Sequence, residues 1–429
     1  MKRDGSESTG AAVGTLDEIF EPGVLGSVFQ PIVDLETGKL FGFEALSRGP
    51  SRSPLEWPDR LFSAARAQNR LAELDAACQK AAVVNAQTHG IKSPLTLFVN
   101  VEPDAGGFRS LPMIGPDVRG IVELTERTLT SRLAELLPAV QAARERGWGI
   151  ALDDVGADTR SLALMPLLRP DVIKLDLRLV QDHPTPEIAA IAGAVGAQAE
   201  RTGATVLAEG IENEAQAQYA RALGATLGQG FLFGHPSPEP KCVATTDIPL
   251  PIYTAAMPYT WRTPFELASA HRTVRHGTIA LLGAISRELE RQAAVSRHTS
   301  LLISGFPGVD HWMSQMSEVY QELANELAYV AVLAVGMPPE PTPGIKGVSI
   351  HEDDPISGTW NVIVISAHFA SMLAAKERQH NGSSEQEFDF IFTYDRDVIV
   401  ECAQALMLRI ARREDAIHRE RGRSLPGLP

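Results

Sequence analysis

The stretch "IALDDVGADTR", Ile150 to Arg160, begins like a buried strand and ends in two adjacent carboxylates, Asp153 and Asp154. Two acids at one strand end repel each other, so the fold must supply them with counter-charge or protons. The same design recurs between about residues 15 and 235. The apolar runs "LFGFEAL", "LTLFVNV", "GIVELTE", "DVIKLD", "TVLAEG" and "QGFLFG" each carry a polar residue towards one end. These are Glu44, Asn100, Glu123 with Glu126, Lys174 with Asp176, Glu209 and Gln229. Longer Ala/Leu-rich segments separate the runs, at Pro58 to His89, Thr130 to Arg146, Pro186 to Thr202 and Asn213 to Leu223. Strands alternating with helices predict βα units and a parallel sheet, and this number of units suits a closed (β/α) barrel.

In such a barrel the C-terminal strand ends meet on one face, where chemistry sits. Two carboxylates about 4 Å apart repel by about 4 kcal/mol at an effective dielectric near 20. A gathering of several therefore takes up protons or binds cations. An oxygen-rich, thiol-free donor set suits hard divalent ions such as Mg²⁺ or Mn²⁺. Successive side chains on a strand diverge, so Asp153 and Asp154 can serve two different ions, an arrangement common in phosphodiester hydrolysis. Lys174 within "VIKLDL" would be costly in an apolar core, but is compensated beside carboxylates. Any one of these acids alone reads equally well as a helix cap or a solvated loop residue.

Composition narrows the class. The 429 residues suit two or three domains, and an apolar content of 44% suits a globular chain. The formal charge of −14 disfavours duplex nucleic acid as a partner. Cys78, Cys242 and Cys402 form no CxxC pair, which points to a reducing, cytoplasmic setting. The N-terminal residues lack the apolar core of a signal peptide, and "YVAVLAVGM" is too short to span a bilayer.

The domain organisation expected is a disordered tail over 1–14, a barrel over 15–238, a proline-rich linker over 239–263, a smaller α/β domain over 264–412 and a flexible tail over 413–429. In the smaller domain, helices are expected at Phe265 to Gln292, His311 to Ala328, Ala367 to Arg378 and Arg396 to Arg412. His271, His276, His298, His311, His351, His368 and His380 fall in no metal spacing. Trp312, Trp360, Phe388, Phe390 and Phe392 read as core.

The motifs "EALSR" (Glu44 to Arg48), "FQPIVDL", "FVNVEP", "ELTER", "ALDDVG", "VIKLD", "LAEGIE" and "GQGFLFGHP" stand in an order that closely resembles the EAL domain, a bacterial phosphodiesterase of cyclic di-GMP. The resemblance spans about Leu16 to Pro238. It implies a TIM-like barrel with an antiparallel first strand, and linearisation of cyclic di-GMP to pGpG with Mg²⁺ or Mn²⁺ in a homodimer. By the same resemblance, Glu44, Asn100, Glu123, Asp153 and Asp154 are metal ligands. Glu209 helps to hold the ions or acts as general base, and Lys174 orients the attacking water. Arg48 contacts phosphate, Gln30, Asp176, Glu212 and Gln229 lie on the substrate side, and Glu126 anchors the loop after Asp154. That loop departs from the family pattern "DDFGTG": Val155 replaces the aromatic residue, Ala157 the hydroxyl and Asp158 the second glycine. Loss of the hydroxyl would uncouple the loop from Glu126 and carries the alternative reading, a catalytically weak EAL domain acting as a cyclic di-GMP receptor; retention of every metal-type residue favours the enzyme. The second region resembles the DICT domain, a sensory module whose signal the residues do not identify.

Overall fold

The computed structural model describes residues 15–102, 108, 110–115, 117–253, 260–310, 317–378 and 386–420. The tail expected over 1–14, together with His311, Trp312 and His380, lies outside these residues. Eight strands close into a barrel: β1 (Gly26–Asp34), β2 (Leu40–Arg48), β3 (Thr96–Asn100), β4 (Arg119–Thr125), β5 (Gly149–Val155), β6 (Val172–Leu175), β7 (Thr205–Ala208) and β8 (Leu227–Gln229). β1 runs antiparallel to both β2 and β8, and the remaining pairs are parallel. The expected barrel with a reversed first strand is therefore the observed one.

The period of two in each strand sorts its side chains between the barrel interior and the outer helices. Ile32, Phe98, Ile121, Ala151, Val172, Leu207 and Leu227 form one apolar cluster inside. Their neighbours Val99, Val122, Leu152, Ile173 and Ala208 pack outward against the helices. Two residues beyond the inner apolar layer, on the same face, stand Asn100, Glu123, Asp153, Lys174, Glu209 and Gln229. Gln30 stands two residues before Ile32, because its strand runs the other way. The alternating pattern thus builds an apolar lower layer and a polar ring above it.

The outer helices are α1 (Leu16–Ile19), α2 (Pro58–Ala67), α3 (Leu71–Thr88), α4 (Glu126–Glu145), α5 (Ser161–Leu168), α6 (Leu177–Gln181), α7 (Pro186–Thr202) and α8 (Glu214–Ala222). Their ends follow local chemistry. Thr185 caps α7 by accepting from Ile188 N, Pro186 opens the helix, and Gly203 closes it at φ 74°. The Ala/Leu-rich segment from Pro58 to His89 forms two helices, parted around Asn69, which adopts φ 55°.

The segment expected as a free linker is partly barrel. Leu250 is fully buried in the inner apolar cluster and closes its floor. Leu40 N donates to Ala244 O, and Thr246 N donates to Leu40 O. Arg144 Nη1 lies 3.1 Å from Asp171 in a buried ion pair, and the same two side chains bond Tyr253 O and Tyr253 N.

The second domain holds α9 (Pro264–Ser269), β9 (Arg275–Thr278), α10 (Ile279–Ser296), β10 (Ser300–Gly308), α11 (Ser317–Glu326), β11 (Tyr329–Val335), β12 (Lys346–Ile350), β13 (Thr359–Ser366), β14 (Ala370–Glu377), β15 (Glu387–Thr393) and α12 (Arg396–Glu420). Its seven-stranded sheet has the order β12-β11-β10-β13-β14-β15-β9. The helix expected at Ala367 to Arg378 is instead strand β14, paired on both sides. Its Met372 and Ala374 face one core while Leu373 and Ala375 face the other. A strand buried on both faces shows no polar alternation, so "SMLAAKE" imitates a helix. The helix expected at Phe265 to Gln292 is split by β9, and α12 continues through the first part of the tail expected from Arg413. Trp360, Phe388 and Phe390 are buried in the core that faces α10 and α11, and Phe392 packs against it.

The other face of the sheet shares one continuous core with the barrel, across α4, α5, α9 and α12. All eight residues of α5 are buried. Among the described residues, no helix is long and apolar enough to cross a membrane.

Candidate active site at the barrel mouth

Lys174 is the centre of the polar ring. Its Nζ lies 2.6 Å from Glu123 Oε1, 3.0 Å from Asp153 Oδ1 and 2.5 Å from Glu209 Oε1. Burial disfavours its ammonium, yet Asp153, Glu123 and Glu209 outweigh this and hold its pKa well above the ordinary lysine value. Glu44 accepts hydrogen bonds from Asn100 Nδ2 at 2.8 Å and from Gln229 Nε2 at 2.7 Å. Burial opposes its charge, but Lys174 and these two amides prevail and leave its pKa below the usual value. Burial and then repulsion from Glu44 push Glu123 well above its usual value. Burial, partly offset by Lys174, raises Glu209 to about 8. Asp154, at φ 57°, is raised by burial and then by Asp153 and Asp176.

Five carboxyls, Glu44, Glu123, Asp153, Asp154 and Glu209, thus crowd one ammonium. Oxygens of Asp153, Asp154 and Glu209 all lie within 4.8 Å of one another. Neither oxygen of Glu123 has a well-aligned hydrogen bond, and Gln229 Oε1 is buried without one. An all-oxygen set with excess negative charge and unsatisfied acceptors fits a hard divalent cation.

The loop after Asp154 is held, against the expectation that losing a hydroxyl at Ala157 would free it. Glu126 accepts from Gly156 N at 3.2 Å, from Asp158 N at 2.7 Å and from the hydroxyl of Ser161. Ser161 is the Glu126 partner that sequence reasoning missed; its signal was a hydroxyl placed just before the apolar run of α5. Asp158, standing where the family has glycine, is gripped by both nitrogen positions of the Arg160 fork at 2.5–3.0 Å. Burial raises Glu126 to about 7, net of the three donors.

The remaining residues take varied places. Gln30 Oε1 accepts from Gln229 Nε2 at 3.1 Å and so belongs to the ring. Asp176 caps α6 by accepting through Oδ1 from Arg178 N at 2.8 Å and from the Arg178 side chain at 2.9 Å, which engages one of its two carboxylate oxygens. Glu212 is exposed ahead of α8 and bonds Gln216 through its backbone. Arg48, at the end of β2, places its guanidinium over the Trp57 ring.

A model of the EAL domain matches residues 15–236. The chain belongs to the EAL family. Beyond the EAL barrel, residues 266–378 match the DICT model, described as a sensory domain in diguanylate cyclases and two-component systems. The EAL barrel is 30% identical over 230 residues to the cyclic di-GMP phosphodiesterase RocR of Pseudomonas aeruginosa, covering 51% of this chain and 58% of that one. It is 28% identical over 225 residues to the cyclic di-GMP phosphodiesterase NbdA of the same organism, covering 49% of this chain and 28% of that one. The chain therefore spans less than two thirds of the length of these relatives. Among solved structures, a calcium and cyclic di-GMP complex of Klebsiella pneumoniae BlrP1 is similar at 30% identity and a TM-score of 0.44, over 50% of this chain and 56% of that one. The cyclic di-GMP complex of the phosphodiesterase PaMucR is similar at 26% identity and a TM-score of 0.45, over 52% of this chain and 96% of that one.

Proposed function

We propose that this EAL barrel is a metal-dependent phosphodiesterase that hydrolyses cyclic di-GMP to linear pGpG, under the control of the DICT domain. The observation that carries this reading is the buried Lys174 bridging Glu123, Asp153 and Glu209 within one ring of oxygen donors. Two divalent cations, Mg²⁺ or Mn²⁺, held by Glu44, Asn100, Glu123, Asp153 and Asp154, would supply water activation and charge neutralisation at the phosphate. Lys174 holds Glu209 in place beside Asp153 and Asp154, where Glu209 helps to hold the ions or serves as general base. Arg48 serves a phosphate oxygen, while Gln30, Gln229 and Glu212 line the substrate side. Relatives at about 30% identity bear the name cyclic di-GMP phosphodiesterase, which favours the same substrate here.

The three bonds from Glu126 favour turnover over the receptor reading, because the loop that departs from the family pattern remains anchored. The second domain has a short physical route to that loop. It covers α5, which starts at Ser161, and Gln404 Nε2 donates to Leu167 O at 2.8 Å. The homodimer that the family implies must then use a surface other than α5.

The test is incubation of the full chain with cyclic di-GMP and Mg²⁺ or Mn²⁺, following pGpG by chromatography, with Glu44→Ala as the control. Turnover that the substitution abolishes is the expected result. Tight binding without turnover would favour the receptor, and absence of binding would defeat both readings.

A further inference from the structure

The chain between Arg48 and Trp57 is a small closed loop. Gly49 N donates to Glu56 O at 3.0 Å, Arg52 N donates to the Glu56 carboxylate at 2.7 Å, and Leu55 N donates to Ser53 Oγ at 3.2 Å. A Cβ at Gly49 would stand 2.1 Å from Leu55 O, so only glycine permits this closure. Its effect is to return Trp57 to Arg48, with the guanidinium 5.1 Å from the ring centroid. The indole is nevertheless 58% exposed. An accessible π-face fixed beside a guanidinium is a surface on which a flat base can stack.

Arg48 and Glu44 point to the same face of β2, since they are four residues apart. They are separated by about 13 Å along the strand at ~3.3 Å per residue. A substrate whose phosphodiester lies beside Glu44 would meet Arg48 and Trp57 through the nucleoside attached to it. We propose that Trp57 is the platform on which one purine base of the substrate stacks, while Arg48 keeps to the indole and bonds the adjacent phosphate. Base–aromatic stacking needs only a flat, accessible π-face and a nearby cation. The assignment rests on the cyclic di-GMP reading above and names a positioning residue for that substrate.

Steady-state kinetics with cyclic di-GMP and indole fluorescence test it together. Trp57→Ala should raise KM roughly tenfold or more, as loss of one base stack does, with kcat within about threefold. Trp57→Phe should restore most of the affinity. Cyclic di-GMP should quench the indole emission of the native chain, and Trp57→Phe should abolish that quench, with circular dichroism confirming that both variants are folded. Unchanged KM in Trp57→Ala, or a quench that survives Trp57→Phe, overturns the assignment and leaves the phosphodiesterase reading intact. A native chain that neither binds nor cleaves cyclic di-GMP removes both.

Discussion

Gln404 on α12 donates a 2.8 Å hydrogen bond to the carbonyl oxygen of Leu167, in the last turn of α5. The first residue of that helix, Ser161, donates its hydroxyl to Glu126. One short helix thus joins the second domain to the loop that follows the paired aspartates. Because α5 is buried along its whole length, the two domains share a core rather than a hinge.

Leu164 lies fully buried in that shared core. Leu164→Ala should lower stability by about 2–5 kcal/mol, the usual cost of a cavity at such a site. Differential scanning calorimetry should show one transition moving to lower temperature. A barrel transition that stays in place while only the second domain melts early would contradict the shared core.

Ser161→Ala removes one of three donors to Glu126 and leaves the ring of carboxylates around Lys174 untouched. The expected result is a fall in kcat of roughly tenfold, corresponding to about 1.4 kcal/mol of positioning energy. Affinity for cyclic di-GMP should change far less. Equal losses in kcat and affinity would mean that the hydroxyl supports the fold and not the loop.

Lys174→Met leaves Glu123, Asp153 and Glu209 without their ammonium. Breaking a buried ion pair by removing one partner costs about 3–5 kcal/mol. Thermal melts in a chelator should show that loss, and added Mn²⁺ should recover part of it, because cations then replace the missing charge. A melting temperature unchanged by the substitution in chelator would show that the ring is not electrostatically strained.

Glu290, buried on α10 beside Tyr320 and Ser304, is raised by burial from its ordinary 4.5 to about 7. The folded state therefore holds a proton that the unfolded state has already released between these values. The contribution to stability is fully present below about pH 4.5 and is lost as pH rises through about 7, at about 1.4 kcal/mol for each pH unit crossed. Urea titrations across that window should show the decline for the native chain and a flatter curve for Glu290→Gln. Parallel curves would assign the pH dependence to other groups.

Most of the polar ring was legible in the sequence, because a strand's period of two fixes which face each residue takes. Phe98 predicts the side taken by Asn100, and Val172 that of Lys174. Elsewhere the same rule lost its signal. Strand β14 is apolar on both faces, so Met372 and Leu373 gave no alternation and Ala374 and Ala375 suggested helix. The proline-rich segment read as linker because its partner, the barrel floor beneath Leu250, is assembled from strands distant in sequence.

The local order of apolar and acidic residues determined the barrel and the ring of acids at its mouth, and the family resemblance implied the reversed first strand. Tertiary structure alone decided that Ser161 and two backbone amides secure the loop, that Arg178 engages one oxygen of Asp176, and that the second domain covers α5. Periodicity along a chain reports which way a side chain faces. It carries no information on which remote surface arrives to meet it, and that depends on packing the completed elements together.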